Sequence, residues 1–310
     1  MINFFSYYRI VAAYLILLIH QQFWVVPGPL GRLTSSAVPL FAAMAGFLFK
    51  RAVVDDFDFK AILAKKARRI LLPYSLWAIV YWIANCIVLD GIVRHETIAF
   101  PGLRSWLLGG TACHLWFLPC LFIAFVLVAG GAWLAKKLSI NMAWFIGVLL
   151  VISAATQLIP DATSATLAGF AKIYLGRLLF FFALGFLISF LEVPHTICIQ
   201  VIELGLIIIG LGNILCQWID GLVWSPLVLV MGLLLVAQGK PNIKLPQWVG
   251  KLADASMGIY LVHVLFTSGM NFVLQKAGVM PLPGLIGLLL SIFLFGVTYL
   301  IVRILPKKVF

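Results

Sequence analysis

Charged side chains are scarce in this chain and account for only 10% of its 310 residues. Ordinary soluble domains carry roughly 25% charged residues, so a composition this poor in charge excludes a typical soluble protein. Hydrophobic residues make up 64% of the chain and occur in long runs. The chain is therefore predicted to be an integral membrane protein with several spans.

Acidic residues are rarer still, because ten of them stand against 22 lysines and arginines and leave a net charge of +12. In a membrane protein this excess is expected to set orientation and to contact lipid headgroups, so it does not indicate nucleic-acid binding. The sequence also lacks a phosphate-binding loop, a serine nucleophile elbow and a zinc-binding helix motif. We predict no metal site and no permanently bound cofactor.

Cysteine is sparse and shows neither metal-ligand nor redox spacing. The five cysteines lie mostly in apolar runs, and we interpret them as packing residues. They are Cys86, Cys113, Cys120, Cys198 and Cys216.

Ten apolar segments can be drawn along the chain. They cover residues 6–25, 36–50, 70–90, 115–134, 141–159, 173–191, 196–213, 222–238, 256–275 and 284–305. No repeat and no soluble region interrupts them. We predict an all-α fold, a polytopic membrane bundle of about ten transmembrane helices that forms a single domain over residues 1–310.

The distribution of cations predicts the orientation of this bundle. Fifteen lysines and arginines, with Arg303 at the end of the last segment included, fall in the connections on the side that both termini share, and five fall on the opposite side. Because basic residues accumulate on the cytoplasmic side of membrane proteins, both termini are predicted to be cytoplasmic.

The first segment contains an arginine and a histidine, Arg9 and His20, separated by ten residues without charge. Eleven helical positions are three turns plus roughly 20°, so the two side chains share one helix face about 16 Å apart. Ionisable residues inside a membrane usually face a protein interior or a watery cavity. Arg9 near the inner surface is compatible with simple snorkelling, but the aligned pair favours a functional site.

The imidazole of His20 suits two kinds of chemistry. It titrates near neutrality, so it can accept the proton of a hydroxyl that attacks an acyl group. It can also be acylated itself and act as a covalent carrier. The sequence leaves both roles open.

The first cytoplasmic loop is the most charged part of the chain. Asp58 is placed to cap a helix from residue 59 to about 72, which is expected to lie along the membrane before Pro73 opens the third span. The cations that cluster on this helix are Lys65, Lys66, Arg68 and Arg69. They are compatible with headgroup binding and equally with a site for an anionic cytosolic ligand.

Further polar residues lie within, or at the start of, later spans. Ser256, Tyr260 and His263 share a helix face by their i, i+4, i+7 spacing. His114 and Arg177 begin two other spans at a depth comparable with that of His20. The outer connection 91–114 is the longest loop, and loops of this length are often functional.

Four short motifs together resemble acyltransferase family 3, membrane proteins that acylate bacterial surface carbohydrates. Arg9 and His20 match the arginine–histidine motif of the family's first helix. The stretches 38–48 (VPLFAAMAGFL), 114–118 (HLWFL) and 256–263 (SMGIYLVH) also look similar to family motifs in order and placement. The family often has Arg-x-x-Arg before its third helix, and Lys66 replaces the first of these arginines here.

The resemblance implies an O-acyltransferase of the bacterial inner membrane that uses cytosolic acetyl-CoA, or another acyl-CoA, as the donor substrate. The acceptor implied is a hydroxyl of a surface or lipid-linked glycan, and the other expected partners are membrane lipids. The catalytic residues implied are His20 and Arg9, and the donor-binding residues are Arg9, Lys66, Arg68 and Arg69. The substrate-binding residues implied are His114, Trp116, Arg177, Tyr260 and His263.

Two other classes of function fit the same residues. A transporter of acyl groups or of a small polar solute also needs ionisable groups in its interior, although no Gly/Pro-broken helices occur at matching places in two halves. An inactive scaffold in glycan assembly is the third interpretation. Covalent transfer of a labelled acyl group separates the enzyme from both alternatives.

Overall fold

The structure of the protein is a computed structural model that describes residues 3–54, 57–86, 102, 106, 111–159, 169, 171–194, 196–219, 224–239, 244–306 and 310. Its α-helices are α1 (Phe4–His20), α2 (Gly28–Thr34), α3 (Ala37–Val54), α4 (Phe59–Asn85), α5 (Phe117–Lys137), α6 (Met142–Ala155), α7 (Arg177–Ile188), α8 (Ile197–Cys216), α9 (Trp224–Gly239), α10 (Gln247–Asp254), α11 (Ser256–Lys276) and α12 (Gly284–Ile304). The predicted all-α fold is confirmed, since helices cover these residues and extended pairing is limited to an isolated bridge between Trp24 and Leu282. Most of the predicted outer connection 91–114 lies outside the described residues.

Nine stretches of the described chain have the apolar character of membrane helices. Five are long enough to cross a bilayer: Gly28–Val53, Phe117–Lys137, Ile197–Cys216, Ser256–Lys276 and Gly284–Ile304. Four are apolar but shorter: Phe4–His20, Met142–Leu158, Arg177–Ile188 and Trp224–Gly239. The membrane location is supported by these helices, whereas the count of ten spans stays a prediction.

Helices α3 and α7 cross in the middle of the bundle at unusually close range. A Cβ atom added to Gly46 of α3 would collide with the carbonyl of Phe182, and one added to Gly185 of α7 would collide with the carbonyl of Ala43. Small residues let membrane helices approach until their backbones touch. The crossing therefore depends on two reciprocal glycines.

The first helix is shorter than predicted and ends at the residue of greatest interest. Its predicted segment ran to residue 25, but α1 ends at His20 because Gln21 adopts an extended conformation. The chain then turns away, and the ring of Trp24 packs where a Cβ on Gly287 of α12 would stand. Helix α1 also packs against α12 through a 2.8 Å hydrogen bond between the hydroxyls of Tyr14 and Ser291.

The expectation of a separate surface helix before the third span was wrong. Helix α4 runs without a break from Phe59 to Asn85 and contains Pro73 in its interior. Ile62 and Ile70 are buried against the bundle on the N-terminal side of this proline, so packing holds the basic turns in line with the span. The predicted cap is confirmed, because the carboxylate of Asp58 accepts a 3.1 Å hydrogen bond from the backbone N–H of Ala61.

Candidate active site

Three histidines from different parts of the chain meet at the C-terminal end of α1. The ring of His20 lies 5.3 Å from that of His263 on α11 and 5.8 Å from that of His114, which precedes α5, between ring centroids. The rings of His114 and His263 are 5.2 Å apart. His114 and His263 are almost completely buried. We call these three residues the histidine cluster.

Hydrogen bonds determine which nitrogen of His263 is available. Its Nδ1 lies 2.7 Å from the carbonyl of Tyr260 and 3.1 Å from that of Ile259. Carbonyl oxygens only accept, so Nδ1 must carry the proton and Nε2 must hold a lone pair. This buried Nε2 has no hydrogen-bond partner among the described residues. Buried polar atoms are nearly always paired, so an unpaired one next to two other imidazoles marks a site for a ligand.

The imidazole of His114 is unpaired to an even greater degree. Both of its ring nitrogens are buried without a partner in the described part of the chain. The residue itself is held by its backbone, because the hydroxyl of Tyr260 donates a hydrogen bond to the carbonyl of His114. The rings of Tyr81 and Tyr260 pack against the imidazole at 5.0 and 5.4 Å. In either neutral tautomer, one ring nitrogen of His114 carries an N–H that can donate to a ligand.

Helix α4 positions the turn that carries His114. The hydroxyl of Tyr81 donates a 2.7 Å hydrogen bond to the carbonyl of Leu261 and so joins α4 to α11. Further along the helix, the amide of Asn85 donates to the carbonyl of Thr111 at 3.1 Å, and the hydroxyl of Thr111 donates back to the carbonyl of Ala78. The carbonyl and the hydroxyl of Thr111 therefore both attach the turn to α4, just before the chain reaches His114.

A cavity of about 480 Å³ is lined by Tyr260, whose ring packs against that of His114, although none of the three histidines lines the cavity itself. This volume is within the range of roughly 300–1,000 Å³ that is typical of small-molecule sites. Tyr260 and Phe117 close its upper end, and their rings are 5.6 Å apart. Arg9, Arg69 and Asp254 line it towards the side predicted to be cytoplasmic. One cavity thus leads from two arginines to the tyrosine that contacts the cluster.

Arg9 and His20 lie at different levels of this site. Arg9 is about 16 Å below His20 along α1 by helix geometry, and it lines the cavity together with Ser256 and Tyr260. The carboxylate of Asp254, at the end of α10, interacts electrostatically with the Arg9 guanidinium. Asp254 was not among the residues that the sequence singled out. An acidic residue two positions before Ser256 was its only signal.

The four basic residues at positions 65–69 of α4 do not act as one cluster. Arg68 and Arg69 are both exposed, but of the two it is Arg69 that lines the cavity. The ammonium of Lys66 lies over the ring of Phe125, 3.9 Å from its centroid, and also faces Phe49 at 5.2 Å. Lys66 is therefore engaged in cation–π contacts with two helices that flank the cavity.

Burial also changes the protonation of Lys66, which precedes the predicted span at 70–90. Burial, followed by the charges of Arg69 and Lys65, lowers the pKa of Lys66 to about 8. Desolvation and like charges both disfavour the protonated amine. Of the basic residues around the cavity, this lysine is thus the one whose charge changes in a mildly alkaline range.

The two remaining predicted substrate residues lie at the margin of the site. Trp116 precedes α5, and its ring packs on the ring of the cavity residue Phe117 at 6.2 Å. Arg177 begins α7 and donates a hydrogen bond to the carbonyl of Ser35 between α2 and α3. The structure brings His20, His114, Tyr260 and His263 together, keeps Trp116 next to them, and places Arg177 on a different contact.

The interpretation of all five cysteines as packing residues was wrong. Cys120 is buried, but Cys113, Cys198 and Cys216 are exposed. The Sγ atom of Cys113 lies 3.5 Å from Nδ1 of His20. Apolar context alone suggested burial, whereas the position of Cys113 next to His114 was the available signal.

Comparison with known proteins identifies the family of the chain. The chain belongs to acyltransferase family 3, since the sequence model of that family, described as an acyltransferase domain, matches residues 2–303. Searches of curated proteins and of solved structures returned no match. The family membership predicted from the four motifs is confirmed, and the protein is a membrane acyltransferase in the general sense of its family.

Proposed function

We propose that this protein is an O-acetyltransferase of the bacterial inner membrane, which transfers an acetyl group from cytosolic acetyl-CoA to a hydroxyl of a surface or lipid-linked glycan. One observation carries the proposal. A cavity lined by two arginines and by Tyr260, which packs against the histidine cluster, offers separate places for a nucleotide and for a reacting acyl group. Family membership supports acyl transfer as the reaction.

The arginines of the cavity suit the phosphates of an acyl-CoA. Guanidinium groups bind phosphate through paired, charge-assisted hydrogen bonds. We assign this role to Arg9 and Arg69, which line the cavity. Lys66 and Arg68 lie on the same helix as Arg69 and add positive charge near its opening, where they attract an anionic donor at longer range.

The apolar part of the cavity suits the pantetheine arm. Met44, Phe117 and Leu121 line it between the arginines and Tyr260. An arm that extends along these residues carries its thioester away from the phosphates and towards the histidine cluster. This fits the separation of about 16 Å between Arg9 and His20.

The histidine cluster suits the transfer itself. His20 is half-buried at the end of α1, where its imidazole can accept a proton from an incoming group. His114 keeps an unpaired N–H in a buried setting, and such a donor stabilises the negative charge that develops on an acyl oxygen. Trp116, which precedes α5 and packs on Phe117, is the aromatic residue that we assign to contact an acceptor sugar.

The decisive experiment uses purified full-length protein in lipid nanodiscs. Radioactive acetyl-CoA is added together with a glycolipid extract of bacterial membranes, and the lipids are examined for covalent label. We expect label in a lipid-linked glycan and an increase of one acetyl mass in the product. Uptake of label into sealed vesicles without any covalent product would instead identify a transporter.

A further inference from the structure

Cys113 and His20 form a thiol–imidazole pair at the outer side of the histidine cluster. The Sγ and Nδ1 atoms are 3.5 Å apart, within hydrogen-bond distance for sulfur. When the proton of His20 is on Nε2, Nδ1 accepts from the thiol. An adjacent imidazole is the usual means by which a protein converts a cysteine into a thiolate nucleophile. Partial burial raises the pKa of the Cys113 thiol, so the thiolate forms only as His20 accepts the proton, and the pair has the composition of a nucleophile and its base.

The surroundings of this pair indicate that something binds against it. His114 follows Cys113 directly in the chain and is only 2% exposed, yet both of its ring nitrogens lack a partner in the described residues. Nε2 of the fully buried His263 is unpaired in the same part of the structure. The N–H of neutral His114 can donate to the oxygen of an acyl group, whereas Nε2 of His263 holds a lone pair and can only accept a hydrogen bond, for example from an acceptor hydroxyl.

Cys113 lies outside the donor cavity, on the side predicted to face the acceptor. The cavity ends at Tyr260, whose hydroxyl donates to the carbonyl of His114. Cys113 itself is exposed, in the turn that α4 attaches through Asn85 and Thr111. It thus lies where an acyl group would leave a donor on the inner side and meet an acceptor on the outer side.

We propose that Cys113 is a covalent acyl carrier, which receives the acyl group from acyl-CoA and passes it to the acceptor hydroxyl while His20 acts as the base. This inference rests on the proposed function and makes it a two-step reaction. It assigns the carrier role to sulfur and leaves His20 to transfer protons. Cys113 then touches both the donor and the acceptor half of the reaction.

The two steps balance without any further reactant. In the first, Sγ of Cys113 forms a bond to the acyl carbon while the bond from that carbon to the CoA sulfur breaks; the thiol proton moves to His20 and then to CoA. In the second, the acceptor oxygen bonds to the acyl carbon while the bond to Cys113 breaks; the hydroxyl proton moves through His20 to the cysteine sulfur. The products are free CoA, an ester and the original thiol.

Isotope exchange tests this proposal without knowledge of the acceptor. Full-length protein in nanodiscs is given unlabelled acetyl-CoA and radioactive CoA, and the formation of radioactive acetyl-CoA is followed. A covalent acyl-enzyme allows this exchange, whereas direct transfer to an acceptor does not. We expect exchange with the native protein and a loss of about 100-fold or more in Cys113→Ala. The matched control is Cys198→Ala, which removes another exposed cysteine and is expected to exchange normally.

The chemistry of the trapped intermediate provides a second readout. Acetylated native protein is expected to release its label in neutral hydroxylamine, and peptide mass spectrometry is expected to place the acetyl group on Cys113. In Cys113→Ser any label is held as an oxygen ester, which resists the same treatment. Thermal unfolding and equilibrium binding of acetyl-CoA establish that each variant is folded.

Each remaining outcome contradicts the carrier role. Exchange that persists in Cys113→Ala but is lost in His20→Gln would assign the carrier to histidine. Acyl transfer to glycolipid without any exchange would indicate a single direct step, and the proposed function would stand. Native protein that shows neither exchange nor transfer would overturn the proposed function as well.

Discussion

His20 ends its helix, and this position explains how one imidazole contacts groups from several elements. A residue in the middle of α1 would be surrounded by its own helix neighbours, whereas His20 faces His263 of α11 and the turn that holds Cys113 and His114. The side chain is half-buried, so it can reach both the interior and an incoming substrate. In the proposed reaction, His20 is the residue that acts as the base.

Replacement of His20 by Gln tests catalysis against packing. The amide is of similar size but cannot accept a proton near neutral pH, so acyl transfer is expected to fall by ~10²–10⁴-fold. Folding and acetyl-CoA binding are expected to persist, as measured by thermal unfolding and by equilibrium binding. Arg9→Lys is the contrasting variant, because it keeps the charge and should weaken donor affinity while leaving measurable turnover. A folded His20→Gln protein with near-native turnover would refute the role.

Arg69 and Arg68 form a matched pair for the donor site. They are neighbours on one helix and both are exposed, and of the two it is Arg69 that lines the cavity. Arg69→Ala is expected to weaken acetyl-CoA binding by about tenfold, as the loss of one charge-assisted contact implies. Arg68→Ala is expected to change the affinity by less than about threefold. Equal losses in titration calorimetry would reduce both arginines to a general effect of charge.

The lowered pKa of Lys66, about 8, gives donor binding a pH dependence. As pH rises from 7 to 9 the amine loses its proton, so the attraction for an anionic donor decreases and the affinity is expected to fall by about threefold. Lys66→Arg stays protonated throughout this range and should lose less affinity. Acetyl-CoA binding measured across this pH range checks the difference. Identical pH profiles for the two proteins would show that Lys66 serves packing alone.

At the scale of helices, the crossing of α3 and α7 is the most demanding contact. Gly46→Ala places a methyl group against the carbonyl of Phe182, and overpacking of this kind costs roughly 1–3 kcal/mol. A lower thermal unfolding temperature in detergent is expected. Gly205→Ala on α8 is the control, because no heavy atom lies within 4 Å of the added carbon and alanine favours a helix by about 1 kcal/mol. Two unchanged unfolding temperatures would mean that the crossing relaxes easily.

Helix α4 joins the two levels of the site. Its first half presents Arg69 to the cavity, and its second half presents Tyr81 to His114 and attaches the turn before it. An unbroken helix through Pro73 keeps these groups at a constant separation. Arg69 in the cavity and the turn that carries His114 are therefore positioned by the same helix.

At the scale of the whole molecule, orientation decides which substrate enters from which side. Both termini are predicted to be cytoplasmic, so a reporter fused after Phe310 is expected to be active only if it functions in the cytoplasm. A fusion after Lys276, at the end of α11, is expected on the opposite side and is the control. Paired alkaline phosphatase and fluorescent-protein fusions check both positions. A reporter after Phe310 that is active only outside would place the arginines of the cavity on the wrong side for a cytosolic donor.

Much of this molecule follows from the sequence by itself. The shortage of charge and the length of the apolar runs determined a helical membrane protein, because backbone polar groups in lipid are satisfied within helices. Helical periodicity placed Arg9 and His20 on one face, and Ser256, Tyr260 and His263 on another. These inferences are local, since they depend on residues within one helix.

Only the tertiary structure decided which of these residues act together. The meeting of His20, His114 and His263, and the pairing of Cys113 with His20, join residues from the first, middle and last parts of the chain. The same packing places Arg177 on a contact with Ser35 and not in the histidine cluster. It also gives Arg69 and Lys66 of α4 different surroundings, because Arg69 lines the cavity and Lys66 packs on Phe125. Helix periodicity fixes the face on which a side chain lies, but the neighbour that it meets depends on how the helices cross, and residues distant along the chain set those crossings.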